Sequence, residues 1–188
     1  MALIELVLLY GSAILAFLFV FYAISIINGL VSLRNSTQKD WANIDVLLKQ
    51  RNDELPNVIE TVKGYAKYEK QLFEEIAKTR AAMLSAGTIG QKADASAALS
   101  GSIKSLFAVA ENYPTLKANE NFLALQQRIT QLENEIADRR ELFNDSVNLY
   151  NTRTQMFPDL IFAVIFGMKQ IEYFKVSQTE AQPVKVEV

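Results

Sequence analysis

Histidine and cysteine are both absent from this 188-residue chain. Without cysteine there is no disulfide, no thiolate nucleophile, no iron–sulfur ligand set and no lipid-modified N-terminal cysteine. Without histidine the chain lacks the side chain most used as a metal ligand and as a base near neutral pH. The Glu-x-x-His repeat with which helical bundles hold two metals therefore cannot be completed. Charge of one sign is scarce too: 19 Lys and Arg stand against 21 Asp and Glu, for a formal net charge of −2. No sustained basic face is available to track a phosphate backbone, so nucleic acid is not an expected partner. Ser36 and Lys39 fit a Ser-x-x-Lys pattern but lack the companion motifs of serine hydrolases. The chain is therefore read as a non-enzyme with no cofactor and no metal site. Glu74, Glu75, Glu133 and Glu135 fall between apolar positions and are expected on solvated faces, where Glu133→Ala is expected to matter little.

What the chain has in abundance is one apolar run. From Leu6 through Ile14 and Phe19 to Ile27 no residue is charged. At about 1.5 Å per residue that run makes about 33 Å of helix, which matches a hydrocarbon core of about 30 Å. A secretory signal has a basic start and an apolar core of about 7–15 residues. Here the start, MALIE, holds Glu5 and no Lys or Arg. The sequence thus predicts a retained, single-pass anchor in membrane lipid. Arg34 and Lys39 follow the span and no basic residue precedes it, so the positive-inside tendency predicts an outward N-terminus and a cytoplasmic C-terminal region. The expected organisation is a short tail (1–5), the transmembrane helix (6–27), a helical bundle (28–174) and a flexible polar tail (175–188).

Beyond the span, Trp41, Ile44, Leu48, Leu55, Val58, Val62, Ile76 and Met83 recur at helical spacing. They predict a helix from Thr37 to Leu84, opened by a Thr37–Asp40 capping box and bent, not ended, at Pro56. Ser85 to Asp94 reads as a connection, and a second, Ala-rich helix carries Leu99, Ile103, Leu106, Ala110 and Tyr113 on one face. Pro114 stops it. Asn119 caps a third helix in which Phe122, Ile129, Ile136, Phe143 and Tyr150 recur every seventh residue, with the register drifting near Arg139 and Val147. Pro158 opens a fourth helix toward Phe174. Its uncharged stretch Leu160–Met168 is too short to span a bilayer and is expected either wedged into the bundle core, the favoured place, or buried in a partner surface. Arg51 and Arg139 fall on or near the apolar stripes and require partners such as Asp45, Glu54 or a carboxylate from a facing helix. The predicted fold class is all-α: one N-terminal transmembrane helix, then an antiparallel up-and-down four-helix bundle with long, coiled-coil-like helices.

Three groups of residues in this pattern resemble the LemA family: Trp41 with Asp45 and Arg51; Tyr113, Pro114, Leu116, Lys117, Ala118 and Asn119 with Phe122; and Phe143 with Asn144 near Tyr150 and Asn151. The resemblance covers nearly the whole chain. It implies a protein of the bacterial inner membrane with one N-terminal span and an antiparallel helical bundle, and it implies no particular reaction. Within the second group Pro114 sets a turn, Tyr113 and Leu116 plug the bundle end, and Lys117 is left over as a binding candidate. The expected function is a membrane-anchored scaffold that self-associates or docks partner proteins. The alternatives are an adaptor subunit of a membrane enzyme such as a protease, or a ligand-sensing bundle. A homo-oligomer is expected, with Gly11, Ser12 and Ala16 letting neighbouring anchors approach and the long stalk supplying further contact.

Overall fold

The computed structural model describes residues 2–175, and every regular element among them is a helix. These are α1 (Ala2–Lys63), α2 (Lys70–Ser85), α3 (Ile89–Ala110), α4 (Pro114–Lys117), α5 (Glu120–Gln155) and α6 (Asp159–Ile165). The chain divides into two compact units. One comprises Met1–Lys39 and Asp145–Ile171, the other Asp40–Asn144 and Glu172–Val188, so α1 and α5 each contribute to both.

The second unit is a four-helix arrangement made from the later part of α1, α2, α3 and the earlier part of α5. Side-chain contacts fix the directions. Trp41 meets Phe143, Arg51 meets Glu133 and Tyr65 meets Asn119, so α1 and α5 run antiparallel. Ser100 meets Glu133 and Phe107 meets Phe122, which sets α3 antiparallel to α5. Thr79 meets Ser102 across the short α2–α3 connection, so those two also run in opposite directions. The resulting topology is up-and-down. The apolar stripes read from the sequence line the interior, with Ile44, Leu48, Leu99, Leu106, Ile129 and Leu132 buried.

Four boundaries differ from expectation. The helix predicted from Thr37 to Leu84 is two helices, and the first of them has no start at Thr37. α1 runs unbroken from Ala2, and the Thr37 hydroxyl donates to the Leu33 carbonyl within the helix instead of capping a new one. Pro56 lies inside α1, as expected. Proline costs about 3 kcal/mol in a helix interior, but fully buried Leu55 and Val58 anchor the helix on both sides of it. The break comes at Gly64, where the Tyr65 amide donates to the Val62 carbonyl, a tighter turn that reverses the chain toward α2.

The connection read as Ser85–Asp94 is much shorter. Thr88 and Gln91 form a complete capping box, so α3 begins at Ile89. The fourth predicted helix ends at Ile165 and not near Phe174. Gly167 takes φ 61°, and the Met168 amide donates to the Ala163 carbonyl while the Gly167 amide donates to Val164. This Schellman pair stops α6 and turns the chain into an irregular segment. Arg139 is exposed, not on a core stripe; after Ile136 the buried positions are Phe143, Val147 and Tyr150, so the seam leaves Arg139 on the outer face. Of the predicted polar tail, Lys175 is non-helical and the remainder lies outside the described residues.

The first unit contains the earlier part of α1, the later part of α5, α6 and the chain to Ile171. Within α1 an apolar stretch near the N-terminus is long enough and apolar enough to cross a membrane. Its large side chains from Leu3 to Ile24 are 50–77% exposed, pointing outward in every direction. Leu6, Ile14 and Phe19 are among them, while Ile27 is half-buried. Protein packing resumes at Ile26 and Leu30, which form a small core with Ala163, flanked by Phe162 and Met168. The expectation that the Leu160–Met168 stretch fills the bundle core is thus overturned: Ala163 is its only fully buried side chain.

Candidate functional site

Arg51 sits one and two turns along α1 from Leu48 and Ile44, on the stripe that faces the interior, and its side chain is 0% exposed. A buried guanidinium needs several acceptors at once. One nitrogen pairs with the Glu133 carboxylate of α5 at 2.8 Å and with the Ser100 hydroxyl at 2.9 Å. The other donates to the Ser96 hydroxyl at 2.9 Å. Ser100 in turn donates to Glu133 at 2.9 Å, closing a ring among α1, α3 and α5. Nε has no partner. Burial lowers the affinity of Arg51 for its proton and the Glu133 carboxylate opposes that loss. A guanidinium keeps its proton inside proteins, so Arg51 is a cation clamped by one carboxylate and two hydroxyls. Glu133, expected on a solvated face, is its partner, with its side chain 29% exposed.

A groove of about 600 Å³ runs beside this ring between α3 and α5. Ser96, Ser100 and Glu133 border it together with Lys104, Phe107 and Arg140. Of its polar lining, Ser96, Ser100 and Glu133 are committed to Arg51.

Trp41 and Asp45 lie one turn apart on α1 and are joined by Lys92 of α3. The lysine ammonium pairs with Asp45 and stands 5.5 Å from the Trp41 ring centre. Trp41 also packs on Phe143 at 5.5 Å and Phe174 at 5.9 Å. The α3–α5 connection gathers a separate cluster. The Asn119 side-chain oxygen accepts the Phe122 amide at 3.0 Å, the expected N-cap, and its amide nitrogen donates to the Tyr65 hydroxyl at 3.1 Å. Tyr113 donates to Glu69 at 3.3 Å, while buried Leu116 and Phe122 close the end of the interior below Pro114. The α1–α2 and α3–α5 turns are thereby tied to each other. Lys117 is exposed. Asn119→Ala should cost about 1 kcal/mol from the lost cap, read as a lower denaturation midpoint with an unchanged slope.

Asn144 and Asn151, two turns apart on α5, bind the segment that follows α6. Asn151 donates to the Ile171 carbonyl and accepts the Ile171 amide, both at 2.9 Å. Asn144 makes the same pair with Phe174, at 3.2 and 2.9 Å. In each case a side-chain amide satisfies both the N–H and the C=O of one residue of the irregular segment. The buried Tyr150 hydroxyl donates to the Lys169 carbonyl at 3.2 Å. Burial raises its pKa and the nearby Arg34 charge works the other way. A phenol whose pKa rises on folding adds stability below its unfolded value of about 10, lost as pH climbs through the folded value. Tyr150→Phe should flatten that alkaline loss in a stability profile.

Read together, the sites do not form one centre. Trp41 and Asp45 are brought together, Tyr113 to Phe122 form an end cap, and Arg51 closes a ring with Ser96 and Ser100, which the sequence pattern did not single out, and with Glu133, which it placed on a solvated face. Among the described residues no cluster of three or more Asp or Glu is placed to hold a metal ion. These features define a membrane-associated, all-helical protein with one apolar N-terminal helix and an up-and-down helical unit with the Arg51–Glu133 ion pair in its interior. Residues 40–188 match the LemA family, and the chain belongs to that family. Among curated proteins it is similar to Magnetosome protein MamQ of Magnetospirillum gryphiswaldense, at 25% identity over 78% of this chain and 64% of that protein. It is also similar to Magnetosome proteins MamQ 2 and MamQ 1 of Paramagnetospirillum magneticum, each at 24% identity over 79% of this chain and 64% of theirs. The chain thus spans just under two thirds of the length of these relatives.

Proposed function

We propose that this protein is a single-pass, membrane-anchored helical scaffold that assembles with itself and with partner proteins at a bacterial inner membrane and carries out no reaction of its own. The observation that carries the reading is the contrast between the two ends of α1. From Leu3 to Ile24 every large side chain is bare, whereas further along the same helix Ile44, Leu48, Leu55 and Val58 are fully enclosed and Arg51 is clamped by Glu133. An apolar surface of that extent is stable only in lipid or against another protein. The magnetosome relatives support a membrane setting. Arg34 and Lys39 favour a cytoplasmic location for the segment after the span.

Self-association rests on the anchor. The stalk stripe expected to seek a second copy is covered by α3 and α5 of the same chain, since Ile44, Leu48, Leu55 and Val62 are buried. In the span, Gly11 has open space around its Cα and Ser12 turns its hydroxyl back onto the Leu9 carbonyl, leaving a low face for close helix approach. Alkaline carbonate washing of membranes should leave the protein in the pellet, and a protease outside intact cells should spare the region after the span. Release by carbonate, or digestion from outside, would refute the anchoring or the orientation respectively. Crosslinking in native membranes should trap discrete adducts with the full chain and none with a chain lacking residues 2–27.

A further inference from the structure

We propose that α6 and its flanks, from Met156 to Met168, form a wedge seated in the membrane–water interface, with lipid of the bilayer that α1 crosses covering the apolar face the protein leaves bare. The inference rests on the anchor reading of α1 and adds a second, non-spanning membrane contact.

Three observations lead to it. Ala163 is buried against Ile26 and Leu30, with Phe162 and Met168 packed on the same cluster. α6 is therefore docked on α1 where the strongly apolar stretch gives way to Asn28 and Gly29, ahead of the first charge at Arg34. In a spanning α1, that is the level at which hydrocarbon gives way to headgroups. Second, Phe157, Leu160, Ile161, Val164, Ile165 and Phe166 are 42–80% exposed, essentially the range of the span itself. A soluble surface rarely leaves so continuous an apolar patch in water. Third, no charged residue occurs from Leu160 to Met168. A seven-residue helix is about 10 Å long and cannot cross a bilayer, so its apolar surface suits shallow insertion.

The charges at the edges of the wedge fit that depth. Asp159, at the start of α6, is buried and paired with Arg153, so no bare carboxylate enters the interface. The Arg153 guanidinium also lies beside Gly29 of α1. Lys169 closes the uncharged stretch and is exposed, and a long cationic side chain at such a position extends toward lipid phosphates. Both ends of the wedge are fastened to α5: through Arg153–Asp159 on entry and through the Tyr150 hydroxyl on the Lys169 carbonyl on exit. The Schellman turn at Gly167 makes the return possible within two residues of α6. A second copy of the chain is the competing occupant, but the bilayer that α1 crosses is already present at the level of Ile26.

Because the chain has no cysteine, single cysteines report position directly. Full-length V164C and F166C, with F17C as a span control and Q127C as a bundle control, would carry an environment-sensitive fluorophore in vesicles of phosphatidylethanolamine and phosphatidylglycerol. Lipids spin-labelled at the upper acyl chain supply the quencher. The expected result is blue-shifted emission and several-fold stronger quenching at 164 and 166 than at 127, unchanged when the protein is diluted with excess lipid. Quenching at 17 with none at 164 and 166 would overturn the wedge and leave the anchor standing. Quenching at none of the three would overturn both. Blue-shifted emission at 164 and 166 that disappears on dilution would assign the patch to a second copy and refute lipid contact. Unaltered melting of each variant, expected because these side chains are exposed, confirms that the fold is intact.

Discussion

Glu133→Ala should destabilise the protein by about 3 kcal/mol, the low end of the cost of stripping the partner from a buried charge. The guanidinium it leaves behind is fully enclosed, at 0% exposure, and keeps only the hydroxyls of Ser96 and Ser100. Neither hydroxyl carries the charge that offsets desolvation. The 29% exposure of the Glu133 side chain lets water reach the gap, which places the effect at the low end. Glu133→Gln keeps an acceptor and should fall between wild type and Glu133→Ala. Removing both charges with Arg51→Met and Glu133→Leu should recover most of the loss, because well-packed apolar replacements of buried ion pairs are often neutral or stabilising. Urea unfolding in mild detergent reads all four proteins. A Glu133→Ala effect as small as that of a free surface carboxylate, about 0.5 kcal/mol or less, would show that the ring does not bear on folding.

Phe143→Ala should cost about 3–5 kcal/mol through the cavity it opens. Phe143 is fully buried, and its ring packs at 5.5 Å on Trp41, which itself reaches Phe174 at 5.9 Å. The loss therefore removes both the transferred surface and one member of an aromatic pair, the pair alone adding about 0.5–1.5 kcal/mol. Leu142, the preceding residue, is half exposed on the other face of α5. Leu142→Ala should stay within about 0.5 kcal/mol. Trp41 is the only tryptophan in the chain, so its fluorescence should shift to the red in Phe143→Ala and not in Leu142→Ala. Equal effects at the two positions would contradict the assignment of the α5 seam.

Where apolar periodicity decides the structure, the sequence was legible. The positions Phe122, Ile129, Ile136, Phe143 and Tyr150 are all buried, and so are Leu99, Ile103 and Leu106 on the facing helix. Such stripes report burial directly, because each apolar side chain left in water costs free energy whatever its neighbours do. Helix ends were less legible, since they turn on single residues in competition. Pro56 looked the stronger breaker, yet the flanking core contacts outweigh it, while Gly64, with no side chain to bury, lets the helix stop. The Thr88–Gln91 capping box was visible as Thr-x-x-Gln and was hidden only by the polar, glycine-containing stretch around it. Gly167 likewise marked the end of α6.

The partner of Arg51 could not be found from periodicity. That a guanidinium on a core stripe needs a carboxylate is a sequence-level statement, but which carboxylate depends on the axial register of α1 against α5. Glu133 follows the buried Leu132, at a position that reads as the edge of the seam and becomes accessible to Arg51 only once the helices are aligned. The roles of Asn144 and Asn151 were equally hidden. They satisfy the backbone at Phe174 and Ile171, and no helical pattern announces that an irregular segment will lie there.

The central claim is that the protein acts as an anchored assembly, and the mass of the particle extracted directly from native membranes into polymer nanodiscs tests it most directly. The predicted result is a defined species containing more than one protein chain, which falls back toward a single chain when Ala16→Leu crowds the low face of the span while the melting of the helical unit is unchanged. A single chain per disc, across the full range of expression levels and without any companion protein, would contradict the account.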